Sequence, residues 1–308
     1  MPFPVLHGTF PTMSSGLRTG TKLSHGGTMP WLGVGVFQVP NDDDATKAVR
    51  TALDLGYRHI DTAALYRNER GVGRAVRESG IPRQEIFVTT KAWNDDIRAG
   101  RIEAACEESL RRLGLEYVDL YLLHWPIKGR HAQSWRAMES LHRSGRARAI
   151  GVSNYMVPHL EQLLPGAEIV PAVNQIEFHP YLQSKQLHDF CRARDIRLTA
   201  WSPLMQAGPL LRDPVLTGIA RKHGKTVAQV VLRWDLQVGV VTIPKSVHPA
   251  RIAENAGIFD FELDDADVSV IAALAAIGAM APIPSTSVFD REFPGCRGPF
   301  SRDLSVRW

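Results

Sequence analysis

The stretch IFVTTKAWNDDIRAGRIEAACEESLRRLGLEYVDLYLLH, Ile86–His124, decides the fold. It opens on a short β-branched run, IFVTTK (86–91), and closes on a second apolar run, VDLYLLH (118–124). Between them Ile102, Ala105, Cys106, Ser109, Leu110 and Leu113 recur at helical spacing, with charged residues interleaved. Strand, helix, strand is the signature of a parallel pair joined by a helical crossover. Each run also ends on a residue that can carry charge, Lys91 or His124.

Working outward, the same alternation covers the chain from residue 33. The other runs are GVGVF (33–37), RHIDT (58–62), AIGVS (149–153), AVNQIE (172–177), RLTAWS (197–202) and VVTIPK (240–245). Eight β-then-α units are the number that closes a barrel, so the expected fold is a (β/α)8 TIM barrel of class α/β. Thr226–Gln237 reads as a further helix, with Val227, Val230, Val231 and Trp234 on one side. Pro82, Pro158 and Pro214 mark helix boundaries. The SHGGT turn, residues 24–28, lies between two short extended runs and predicts an N-terminal hairpin closing the bottom of the barrel. The expected organisation is a flexible arm (1–16), one barrel domain (17–278) and an atypical C-terminal tail (279–308). That Pro-rich tail either folds over the substrate mouth, where Phe289, Phe293 or Phe300 would enter the pocket, or is disordered. Met13 offers an alternative start.

The chain has 308 residues, 44% hydrophobic and 22% charged, with a net charge of +4. This is ordinary globular composition, and the positive charge is dispersed, which argues against nucleic acid. Cys106, Cys191 and Cys296 lie far apart with no metal-like spacing, so no metal is expected and the cytoplasm is the expected setting. No apolar run reaches 18 residues, so no membrane span is expected. A monomer is expected.

In a barrel of this kind the chemistry collects at the C-terminal ends of the strands. There stand Asp61, with Tyr66 in the following loop, then Lys91 and His124. A tyrosine, with an ordinary pKa of about 10, is a weak proton donor. The Lys91 ammonium is expected to lower that pKa, with Asp61 holding the lysine charged and oriented. A neutral His124 would donate to a carbonyl oxygen and orient it. The set suits protonation of a carbonyl oxygen as negative charge develops on it, with a hydride donor as the missing half.

The motifs GYRHIDTAALYRNE, LEYVDLYLLHWP, AIGVSNY, NQIEFHP, AWSPL and IPKSVHPARIAEN, in this order, resemble those of the aldo-keto reductase family. The short-looped microbial members are most similar, among them 2,5-diketo-D-gluconate reductases and protist prostaglandin F synthases. The resemblance implies NADPH-dependent reduction of aldehydes and ketones, with Tyr66 as general acid. It implies Ser153, Asn154 and Gln175 on the nicotinamide carboxamide, and Trp201, in place of the more usual tyrosine, stacked on the nicotinamide ring. Ser202, Pro203 and Leu204 would follow the pyrophosphate. Lys245, Ser246, Val247 and Arg251 would meet the 2′-phosphate region, and Glu254 and Asn255 the adenine. Two cations and a hydroxyl favour NADPH over NADH. Phe37, Trp93, Trp125 and Gln206 are expected at the substrate mouth, with Met205 beside them. GVGRAV (71–76) lacks the third glycine of a dinucleotide fingerprint and follows a loop, so it is expected to open a helix. The alternative to the enzyme is an NADPH-binding, redox-sensing interaction protein with slow turnover, as in the potassium-channel β subunits of this superfamily.

Overall fold

The structure, a computed structural model, describes residues 16–280. Two short strands, β1 (Gly20–Lys22) and β2 (Thr28–Pro30), form an antiparallel hairpin. Its turn passes through Gly26 and Gly27 at φ of 84° and 81°, a left-handed backbone that glycine adopts without strain. Eight parallel strands follow, interleaved with helices. They are β3 (Val34–Gly35), β4 (His59–Asp61), β5 (Phe87–Ala92), β6 (Val118–Leu123), β7 (Ala147–Ser153), β8 (Val173–Glu177), β9 (Arg197–Trp201) and β10 (Val241–Thr242). Each pairs with the next in chain order. Parallel bridges Leu32↔Thr242 and Gly35↔Lys245 join the first strand to the last, so the sheet closes on itself. The expected barrel is the observed one.

The strands at this seam are shorter than the apolar runs that predicted them. Only Val34–Gly35 of GVGVF and Val241–Thr242 of VVTIPK lie in regular ladders. Pro244 has no amide proton to donate, and its carbonyl instead accepts from Gly35 at 3.1 Å.

Two apolar clusters lie on opposite sides of the barrel wall. Outward-facing Val34, Ile60, Val88, Tyr121, Ile150 and Leu198 pack against the helices. Inward-facing Phe87, Leu120, Leu122, Ala149, Val173 and Val241 fill the lower barrel, where Leu23 and Met29 of the hairpin join them. The hairpin therefore seals the bottom as expected. Helix α1 (Asp42–Asp54) is capped by Asn41, whose Oδ1 accepts from Asp44 N at 2.9 Å. The crossover helix α4 (Ile102–Leu113), preceded by α2 (Glu69–Glu78) and α3 (Asn94–Ala99), buries the six residues its periodicity named.

GVGRAV lies inside α2, as its context indicated, and its glycines answer to packing. A Cβ on Gly71 would sit 2.1 Å from the Asp42 carbonyl oxygen, and one on Gly73 1.8 Å from that of Leu113. Helices α5 (His131–Arg143), α6 (Val157–Leu163), α7 (Lys185–Arg192) and α8 (Pro214–His223) complete the middle of the ring. Helix α9 (Val227–Gln237) opens on a Thr226–Gln229 capping box, followed by α10 (Pro249–Ala256) and α11 (Asp265–Met280).

Helix α11 runs two residues beyond the boundary expected at 278. Gly16, assigned to the arm, already belongs to the packed body: a Cβ there would lie 2.3 Å from the Phe259 ring. Residues 1–15 and the tail from 281, with Phe289, Phe293, Cys296 and Phe300, lie outside the described residues. Cys106 and Cys191 are buried, and burial pushes each thiol up to about 12.

His59, fully buried inside the barrel, is held down to about 4 by desolvation. Burial also lowers His25, His124, His131, His159 and His188. A histidine depressed in the fold takes up its proton first in the unfolded chain, so stability falls as pH drops below the ordinary 6.5. Between that pH and about 4, His59 alone removes roughly 3 kcal/mol. Melting temperature followed from pH 7 to pH 4 should decline steeply, and H59N should flatten part of the slope. A wild-type profile level across that range would contradict the burial of these rings.

Candidate active site

A cleft of about 420 Å³ opens at the C-terminal ends of the strands. Register places the polar ends of β4 and β5 side by side, with Asp61 opposite Thr89 and Lys91 two residues further on, opposite Leu122 of β6. Lys91 Nζ donates to Asp61 Oδ1 at 2.6 Å and to the Thr62 carbonyl at 2.9 Å. Both side chains are sealed, at 0% and 3% exposure. Gln175 Nε2 donates to the second Asp61 oxygen, Oδ2, at 2.7 Å. Each charge thus has several partners, as burial in a low-dielectric interior requires.

Tyr66 ends a single 3₁₀ turn, Ala64–Tyr66, which closes on Arg67 in the left-handed region. The turn brings the ring against Phe37 (centroids 5.0 Å apart) and edge-on to His124 (5.8 Å). Lys91 Nζ lies 5.1 Å from the Tyr66 ring centroid. The four expected residues therefore meet at one place. One expectation about them is reversed. Burial, and then the Asp61 carboxylate, hold the Tyr66 phenol well above its usual range, rather than Lys91 lowering it. The Lys91 ammonium is bonded to Asp61, and burial lowers its own pKa. Burial, with the nearby Lys91, also keeps His124 well below the usual histidine range and therefore neutral. Its Nδ1 is buried without a hydrogen-bond partner among the described residues.

A chain of amides lies beside this group. Asn154, at φ 64°, follows β7 directly. Its Nδ2 donates to the His124 carbonyl at 3.0 Å and to Ser153 Oγ at 3.1 Å, while its Oδ1 accepts from Trp201 Nε1 at 3.0 Å. Ser153 Oγ donates to the Gln175 carbonyl at 2.8 Å. Trp201, Ser202, Pro203 and Leu204 line the same cleft as Tyr66 and His124.

At the other end the cleft is lined by Lys245, Ser246, Arg251, Glu254 and Asn255. Among the described residues, neither Lys245 nor Arg251 has a carboxylate partner, whereas Glu254 Oε1 accepts from Thr226 Oγ at 2.7 Å. Val247 is exposed and is not among the residues lining the cleft.

Phe37, Trp125 and Gln206 line the cleft near Tyr66; Trp93 and Met205 do not. Trp93 precedes α3 and packs edge-on against His124, with ring centroids 5.2 Å apart. Met205, Gln206 and Ala207 all have positive φ, which turns this loop so that Gln206 and Ala207 reach the cleft. The cleft also includes Gly35, Gln38, Leu211, Ala228 and Ile243, which the sequence reading did not name. Gly35 and Ile243 carry the two-residue phase of Asp61 and Lys91 along their own strands, and that phase was available to find them. Nothing in the sequence pointed to Leu211 or Ala228.

Residues 26–276 match the model of the Aldo/keto reductase family. A glyoxal reductase of Bacillus subtilis (strain 168) is 54% identical over 277 residues, which is 90% of this chain and all of that protein. A 9,11-endoperoxide prostaglandin H2 reductase of Trypanosoma cruzi is 50% identical, covering 79% of this chain and 87% of its own. Among solved structures, an aldo/keto reductase from Brucella melitensis superposes with a TM-score of 0.79 at 48% identity. That match covers 82% of this chain and 98% of the other.

The buried pair sets a stability test. Lys91→Met leaves Asp61 as a buried carboxylate without its cation and should cost about 3–5 kcal/mol. The double variant D61L/K91M should recover part of that loss, since an apolar pair needs no counter-charge, but it leaves the Thr62 carbonyl and Gln175 Nε2 without these partners. Urea denaturation of the three proteins measures both. A single-variant loss below about 1 kcal/mol, the range of an exposed pair, would contradict the sealed geometry.

Proposed function

The chain belongs to the aldo/keto reductase family, an oxidoreductase acting on carbonyl groups, and from that premise we propose that it reduces aldehydes and ketones with NADPH, using Tyr66 as the acid. The observation that carries this reading is the convergence of Tyr66, the neutral His124 and the buried Lys91–Asp61 pair on one cleft. The same cleft ends in two cations that have no acidic partner among the described residues.

The cleft residues suit a phosphorylated nicotinamide dinucleotide. Lys245 and Arg251, with Ser246 between them, offer charge and a hydroxyl to a dianionic phosphate. The indole of Trp201, held by Asn154, offers a flat face for the nicotinamide, and the Gln175 Oε1 is available to its carboxamide. When bound, the dihydronicotinamide supplies the hydride.

The residues of the chain do the remainder. His124, neutral, donates a hydrogen bond that orients the carbonyl oxygen. Tyr66 keeps its proton at physiological pH because burial and Asp61 disfavour the phenolate. It gives that proton up only when the oxygen has become alkoxide-like, a far stronger base than a phenolate. Lys91 then faces the new phenolate from beside the ring, so its charge acts after the proton has moved. Phe37 and Trp125 supply apolar walls against water. The name of the Bacillus relative makes small dicarbonyl compounds the first substrates to try.

Tyr66→Phe should abolish NADPH oxidation with an aromatic or dicarbonyl aldehyde while leaving NADPH binding intact. Full retained activity would reject Tyr66 as the acid. K245M and R251M should each raise the KM for NADPH about 10–100-fold, from the loss of a charged hydrogen bond of about 1.5–3 kcal/mol, and change that for NADH little. Equal effects on both cofactors would reject the phosphate assignment.

A further inference from the structure

Gln175 presents its two amide atoms to different neighbours. Its Nε2 donates to Asp61 Oδ2 at 2.7 Å, while Lys91 Nζ occupies Asp61 Oδ1 at 2.6 Å. Strands β8 and β4 are not neighbours in the sheet, so this bond crosses the barrel interior. Gln175 is 1% exposed and lines the cleft, and its Oε1 receives no hydrogen bond from any described residue. Turning the amide over would set Oε1 against a carboxylate oxygen in a buried site, where two acceptors repel. Its orientation is therefore determined: donor toward Asp61, acceptor toward the cleft.

Resting on the function proposed above, we propose that Gln175 is a positioning residue for the acid. It acts through Asp61: by saturating Oδ2 it leaves Oδ1 to Lys91 alone and fixes where the ammonium stands relative to the Tyr66 ring. It also places a positive amide edge against the carboxylate, which offsets part of the negative potential that Tyr66 feels. This role is separate from any contact the same residue makes to a cofactor through Oε1. A contact role is read in KM, a positioning role in kcat and in its pH profile.

Two variants separate them. Gln175→Met removes the donor at similar volume. Gln175→Glu is nearly isosteric and sets a second carboxylate beside Asp61, where both cannot ionise freely. Each makes the surroundings of Tyr66 more negative and disfavours the phenolate, Q175M by losing the amide donor and Q175E on the alkaline side, where the added carboxyl has given up the proton it shares with Asp61.

With saturating NADPH and a fixed aldehyde, the alkaline limb of kcat should move to higher pH in both variants, by about one unit in Q175E. At pH 7 kcat should fall about 10–100-fold in Q175M, by more than KM for NADPH rises. Q175M alone reads the same limb should Q175E not fold. Variants that raise KM for NADPH while kcat and its limb stay at the wild-type values overturn the proposal, with wild type active and Y66F inactive. A wild type that oxidises no NADPH with any aldehyde, or a fully active Y66F, overturns the function and this proposal together.

Discussion

A lysine and an aspartate sealed from water, Lys91 and Asp61, constrain the rest of this molecule. Taking two such ions out of water costs several kcal/mol each, and their attraction offsets this only when the remaining hydrogen-bonding capacity is filled. Here the filling comes from two places: the Thr62 carbonyl, directly after β4, and Gln175 on β8. Only a closed sheet brings β8 within hydrogen-bond reach of β4, so the closure made by the Leu32 and Gly35 bridges is also a condition for the pair. The pair in turn sets its neighbours. Asp61 helps raise the Tyr66 phenol, and Lys91 helps keep His124 neutral.

Along the barrel axis the interior changes from apolar to polar. At the bottom Leu120, Leu122, Val173 and Val241 meet Met29 and Leu23 of the hairpin. Higher on the inward phase stand Asp61, Lys91, Ser153, Gln175 and Lys245. The crowding of that interior appears at Gly151, where a Cβ would lie 2.5 Å from the Val173 carbonyl and 2.8 Å from the Leu122 side chain. A filled bottom keeps water from entering below, so the polar groups above interact in a low dielectric, and each hydrogen bond there matters more than it would in water.

Much of this was legible in the sequence, for stated reasons. Eight apolar runs alternating with amphipathic segments carry enough periodicity to give the barrel, and chargeable residues at the ends of RHIDT, IFVTTK and VDLYLLH mark the rim of the cleft. The lengths of β3 and β10 were not legible, because composition cannot say where a ladder gives way to single bridges around Pro244. The direction in which Tyr66 shifts was missed for a different reason. The sequence shows that a lysine and an aspartate are near, but only coordinates show that the ammonium is bonded to the aspartate and that burial dominates. That Trp93 packs edge-on against His124 was not legible either, because position in a strand-end motif does not reveal which neighbour a ring meets.

Trp201 shows how one residue change can tie parts of such a site together. Asn154 sits in the left-handed region at φ 64°, and both ends of its amide are engaged: Oδ1 by the indole N–H, Nδ2 by the His124 carbonyl and Ser153 Oγ. A phenylalanine at 201 would keep the flat face and lose the donor, leaving Asn154 Oδ1 short of a partner. The indole therefore does two things: it offers a ring face to the cleft and fixes the amide that abuts the histidine. These atoms stand on strand ends or directly after them, where the barrel holds them rigidly. Phe37 and Gln206, by contrast, stand in loops, the latter in a run of left-handed residues. Changes in those loops can therefore alter the mouth of the cleft without disturbing the Lys91–Asp61 pair beneath it.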